Sequence, residues 1–131
     1  MIDIESDVLG AVKNGLPAGV SFSPFYQPRP AHFPHVSGEE KSNSVYRATQ
    51  DSGSLENHAS VGYEFSIYSN KEGGKKAEAR AISAALDGIM QSLGFTRTYC
   101  QPTPNLLDAT VYRITARYEA VVDTSHNIYR R

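Results

Sequence analysis

The sequence predicts an α+β fold: a mostly antiparallel sheet of about four to five strands with two helices packed on one face. Three observations carry this. In residues 59–68, Ala59, Val61, Tyr63, Phe65 and Ile67 alternate with mostly small or polar positions, the period of a strand with one buried face. After Ser69-Asn70-Lys71-Glu72-Gly73-Gly74 the period changes, and Ile82, Leu86, Ile89 and Leu93 recur at helical spacing, with Ala85 and Met90 widening the stripe. Gly94 then suits the residue just past a helix end, and Phe95 the next one, placed to cover Met90 in a Schellman ending. A strand face and a helix stripe so matched pack on each other, and the remaining elements complete a two-layer core.

The other elements follow in chain order. Residues 2–14 read as a helix with Ile4, Val8, Ala11 and Val12 on one side and Asp3, Glu5 and Asp7 near its start, where the helix dipole favours negative charge. Gly15 and Pro17 end it. Residues 18–26 form a first strand with Val20 and Phe22 on one side, confined by Pro24 to an edge or a bend. Pro28, Pro30 and Pro34 stiffen the connection to a second strand over His35–Lys41. Residues 42–58 are polar and turn-rich: either a long functional loop or a hairpin whose arms extend the flanking strands. Residues 95–101 form a strand, 102–108 a turn, and 109–123 the longest strand. On that strand Tyr112, Ile114, Ala116, Tyr118 and Ala120 share one face; Val111, Arg113, Thr115, Arg117, Glu119 and Val121 share the other. The tail from Thr124 is polar and expected to fray.

At 131 residues the chain reads as one domain, long enough for a core without disulfides or metal. A single cysteine, Cys100, leaves no intrachain disulfide. The net charge of -1 counts against a protein that coats nucleic acid. The N-terminus lacks the pattern of a signal peptide and no apolar run approaches a membrane span, so a cytoplasmic product is expected.

No catalytic pattern emerges. His32 and His35 lie in an extended His-Phe-Pro-His segment and, with His58 and Cys100, lack the paired spacing of a zinc site; they read as loop histidines. Gly73-Gly74-Lys75-Lys76 opens a helix but departs from the P-loop pattern, and reads as a turn with solvated lysines. Cys100 has no base placed beside it, no serine sits in Gly-x-Ser-x-Gly, and no acid–base pair of carboxylates is identifiable. Tyr63, Tyr112 and Tyr118 are assigned to the core or its rim. If the strand near residue 64 neighbours the last strand, Glu64 and Tyr68 share a face with Arg113, Arg117 and Glu119. Such a face is either solvated or a polar subunit interface, and arginine without lysine is the composition of interfaces.

Several strings are distinctive in their order: Tyr46-Arg47-Ala48-Thr49-Gln50-Asp51-Ser52, Glu56-Asn57-His58-Ala59, Tyr68-Ser69-Asn70-Lys71, Gly74-Lys75-Lys76, Gly94-Phe95-Thr96-Arg97, Asp108-Ala109-Thr110-Val111-Tyr112-Arg113 and Arg117-Tyr118. On these the chain resembles the tail terminator, or tail-completion, family of siphophages and prophages of Gram-positive bacteria, whose members are often called minor capsid proteins. The resemblance is densest over 45–118; residues 15–41 match no string of the group. It implies a sheet with helices on one side and a homohexameric ring. Such a ring caps the tail tube protein, stops polymerisation and docks the head connector around the DNA passage, in the virion after assembly in the host cytoplasm. It implies no enzyme activity, cofactor or membrane.

The two arginines on the non-core face of 109–123 and the polar excursion of 42–58 lead to the expected contact residues, toward another subunit or the tail tube: Arg47, Gln50, Asp51 and Glu56 on the excursion and Glu64, Tyr68, Arg113, Arg117 and Glu119 on the sheet. Reversing Arg113 and Arg117 together is expected to abolish the ring and leave the monomer folded. A neck or head-completion role in the same gene cluster is the first alternative. A small nucleic-acid- or ligand-binding module is the second.

Overall fold

The computed structural model describes residues 1–45, 58–104 and 108–129. The element order is α1 (Glu5–Gly15), β1 (Ser21–Ser23), β2 (His35–Val45), β3 (His58–Ser69), α2 (Lys75–Leu93), β4 (Thr96–Pro102), β5 (Tyr112–Asp123) and β6 (Ile128–Tyr129). The strands form one sheet in the order β1-β2-β3-β5-β4, with β6 also paired to β5. All pairings are antiparallel except that of β1 with β2. Two helices cover one face, giving the expected α+β architecture.

The alternation of β3 and β5 decides which side is covered. Val61, Tyr63, Phe65 and Ile67 lie across from Ala120, Tyr118, Ala116 and Ile114, and all eight are buried. Val8, Leu9 and Val12 of α1 and Ala79, Ile82, Leu86 and Met90 of α2 close over them. Phe95 meets Tyr63 edge to face at 5.5 Å, and Tyr118 meets Phe65 the same way at 6.0 Å, the arrangement aromatic quadrupoles prefer. Tyr118 is fully buried, so its hydroxyl needs a partner; it donates to Asp87 Oδ1 at 3.0 Å and latches α2 to β5.

Helix α2 ends as its sequence indicates. Gly94 adopts φ 102°, its N–H donates to the Gln91 carbonyl, and the Phe95 N–H donates to the Met90 carbonyl. These are the two bonds of a Schellman motif, and glycine takes the left-handed backbone without a Cβ penalty.

Several details depart from expectation. The sheet has six strands rather than four to five, and the strand expected over 18–26 is only Ser21–Ser23. Helix α1 starts at Glu5, whose N–H is taken by Asp3 Oδ1 at 3.1 Å; Ile2 and Ile4 are buried ahead of it. Strand β2 runs on to Val45 and β3 begins at His58, so the arms of 42–58 do extend the flanking strands, while 46–57 lie outside the described residues. Strand β5 begins at Tyr112 rather than at 109, because the Asp108 carboxylate accepts from the Thr110 N–H and hydroxyl and folds 108–111 into a turn. The tail does not simply fray: Asp123 accepts from the N–H groups of Ser125 and Asn127, the Asn127 amide and the Tyr129 hydroxyl, which returns β6 onto β5.

Candidate functional site

The sheet face away from the helices gathers the predicted sheet residues. Register places Glu64 opposite Arg117, and Tyr68 opposite Arg113. Glu64 accepts from Arg117 Nε at 2.7 Å, a charge-assisted bond with the arginine half exposed. Such a pair in water contributes little stability, about 0–1 kcal/mol. The Arg117 guanidinium also lies 4.8 Å from the Tyr99 ring of β4, within cation–π range. Glu119 lies one pleat further along the same face. Serines fill much of the rest: Ser37 and Ser66 stand opposite each other, as do Ser44 and Ser60. Around Lys41, Gly62, Glu64, Thr98 and Arg117 the surface is an open depression.

Arg113 differs from Arg117. Its guanidinium sits 5.7 Å from the Tyr68 ring and 5.4 Å from the Tyr26 ring, and Nη2 donates to Ser66 Oγ at 3.1 Å. Tyr68 itself has no exposed surface, and burial pushes its hydroxyl pKa up. The segment after β1 therefore seals this end of the face. Two expectations change. Tyr68 offers no surface to another subunit in this conformation, because Tyr26 and Arg113 already flank it. Reversing Arg113 would remove a cation held between two tyrosines, so the double reversal tests folding as well as assembly. Arg117, Glu64 and Glu119 remain as the sheet contact residues. Arg47, Gln50, Asp51 and Glu56 lie outside the described residues.

His35, His58 and Cys100 are placed apart. His35 is buried, with Nδ1 2.6 Å from Ser21 Oγ and Nε2 2.6 Å from Ser23 Oγ. The Ser21 hydroxyl also reaches the Pro34 carbonyl at 3.3 Å. This favours a neutral ring that donates from Nδ1 to Ser21 and accepts from the Ser23 hydroxyl at Nε2. The imidazole thereby ties β1 to the start of β2. His58 packs on the Tyr129 ring at 5.9 Å, and Cys100 Sγ lies 3.5 Å from Ser83 Oγ. Among the described residues no group of three His, Cys, Asp or Glu side chains is arranged to hold a metal ion. Lys75, at the start of α2, donates to the Thr110 carbonyl.

Burial, and then the nearby His32, hold the His35 pKa below its ordinary 6.5. The unfolded chain therefore binds this proton at a higher pH than the folded one. Stability attributable to His35 is complete above pH 6.5 and is lost as pH falls through the lower folded value. The urea midpoint should drop between pH 7 and pH 5, before most carboxylates titrate, and Ser23→Ala should lower it at neutral pH. A midpoint indifferent to pH over that interval would contradict the neutral-ring assignment.

No protein-family model matches the chain, and no curated protein matches it either. No helix among the described residues is long and apolar enough to cross a membrane.

Proposed function

We propose that the chain is a structural subunit of a phage particle: a tail terminator that assembles as a homohexameric ring, caps the tail tube and offers its other side to the head connector. One structural observation carries the reading. A sheet face is left without helix cover, and beyond the end sealed by Tyr26 and Arg113 it carries Ser44, Ser60 and charges of both signs, Glu64, Arg117 and Glu119 among them. A protein working as a subunit wall needs such a face, and needs no enclosed pocket or catalytic group. The resemblance of the strings over 45–118 supports the same reading, and the near-neutral charge suits a ring that passes DNA without gripping it.

The test is removal of the gene from the phage or prophage that carries it. Overlong or irregular tails are expected. Normal-length tails unattached to heads would transfer the chain to the head-completion role, and normal virions would overturn the reading. On purified tubes, Arg117→Glu should leave the chain folded and lower capping. Equal capping would remove Arg117 from the contact set.

A further inference from the structure

The two sides of the sheet carry unused pairing capacity. On one side β1 covers β2 only at His35–Ser37. Among the described residues, no strand pairs with β2 beyond Ser37 on that side. Residues 38–45 thus leave a long run of strand open. On the opposite side β4, Thr96–Pro102, pairs only with β5 among the described residues. The two open runs are of similar length. Open edges left without complementary cover are an aggregation hazard. Each of these carries one irregularity, between Glu40 and Ser42 and between Arg97 and Tyr99, which discourages indiscriminate pairing.

Their flanks carry opposite charge on the same layer. Beside β2, on the helix side, Asn43 Nδ2 donates both to the Ile2 carbonyl at 2.7 Å and to Glu40 Oε1 at 3.2 Å, which brings the start of the chain against the strand. Asp3, Glu5 and Glu40 gather there. Burial first, and then repulsion from Glu5 and Asp3, raise the Glu40 pKa above the ordinary carboxylate value. Beside β4, also on the helix side, a groove of about 450 Å³ opens between α2 and the strand, with Arg80 and Arg97 on its walls together with Tyr112 and Ile114. Arg80 is exposed, and Arg97 is half exposed while pairing with Asp87 at 3.2 Å.

We infer that β4 of one copy pairs with the open 38–45 run of β2 in a second copy, setting Asp3, Glu5 and Glu40 of the second against Arg80 and Arg97 of the first. Strand direction agrees. Each neighbouring pair from β2 through β3 and β5 to β4 is antiparallel, so β2 and β4 run oppositely. A second copy set beside the first in the same orientation therefore presents its β2 antiparallel to β4. The contact uses two different surfaces, so a pair of copies keeps one of each free, and repetition closes a ring when the rotation between copies allows. The inference rests on the ring-subunit reading only for closure at six; pairing of copies stands without any phage role.

The experiment is a charge swap read by light scattering after size exclusion, over a range of concentrations, with circular dichroism confirming that each variant is folded. The wild-type chain is expected to associate. Arg80→Glu with Arg97→Gln makes both edges acidic, and Asp3→Lys with Glu5→Lys makes the β2 edge basic even with Glu40 in place. Each double variant alone should be at least tenfold weaker in association than wild type. An equimolar mixture of the two should recover association, because the altered edges then match. Wild type that stays monomeric at every concentration overturns the inference, as does a mixture no better than its components. Association untouched by either swap also overturns it while leaving the terminator reading intact. Recovery in the mixture combined with normal tails in the gene deletion would do the reverse.

Discussion

Gly38→Val should lower the melting temperature by roughly 10 °C, reflecting an overpacking cost of about 3 kcal/mol. A Cβ at Gly38 would stand 2.5 Å from both Cδ1 and Cε1 of Phe65 and 3.5 Å from a Leu9 methyl. The two residues face each other across β2 and β3, so the Phe65 ring occupies the space a side chain would use. The ring has nowhere to go: it is fully buried, and Tyr118 abuts it edge to face. Gly62 supplies the control. A Cβ there would come just as close to Ser42 Oγ, at 2.6 Å, but Ser42 is exposed and its hydroxyl turns freely. Gly62 is itself buried, but the one atom its Cβ would crowd can swing into solvent, so Gly62→Ala should cost under about 1 kcal/mol, below the usual overpacking range. Urea unfolding of the two variants decides the matter, and equal losses would mean that Phe65 yields easily.

Phe65→Ala should cost about 3–5 kcal/mol, the range for removing a buried aromatic ring. That is a large part of the total stability of an ordinary domain, about 5–15 kcal/mol. The ring sits at the middle of β3 between Gly38 on one side and Ala116 on the other, with Tyr118 diagonal to it. Small neighbours on both sides make it the filler of that layer, so its loss leaves a void that no adjacent large side chain can enter cheaply. The two substitutions should couple. With the ring gone, a valine at 38 no longer collides and partly fills the void. The double variant should then be more stable than the sum of its parts by about 1–3 kcal/mol, the range for residues in contact. Strict additivity in a denaturant cycle would show that Gly38 and Phe65 do not share the space assigned to them.

What the sequence shows and what it hides divide by range. The β3 alternation, the α2 stripe and the Gly94-Phe95 ending are local patterns, and the structure keeps all three. The split of β5 into a core face and an arginine-bearing face is also local, which is why spacing and one assumed strand neighbour bring Glu64, Arg113, Arg117 and Glu119 together. The parallel β1 was less accessible. It is three residues long and is held by a histidine far along the chain, so no periodicity announces its partner. The burial of Tyr68 has the same origin. Its cover comes from Tyr26, which only the return of the segment after β1 brings into place. The tail strand β6 depends on one side chain, Asp123, accepting several bonds, and a polar sequence reads the same with or without that closure.

The β3–β5 ladder also sets the tempo of folding. It joins residues 58–69 to 112–123, and everything between them, α2 and β4 included, is chain that must be gathered before the ladder closes. Loop closure is met early and rewarded late in such a topology, which places folding in the slower, millisecond-to-second regime of sheet-rich domains. Until β5 arrives, the β2–β3 hairpin has an apolar face and an unsatisfied β3 edge together. Copies at high concentration meet through that edge before they meet through the finished ones, so yield on refolding should fall steeply with protein concentration even where the native subunit is stable.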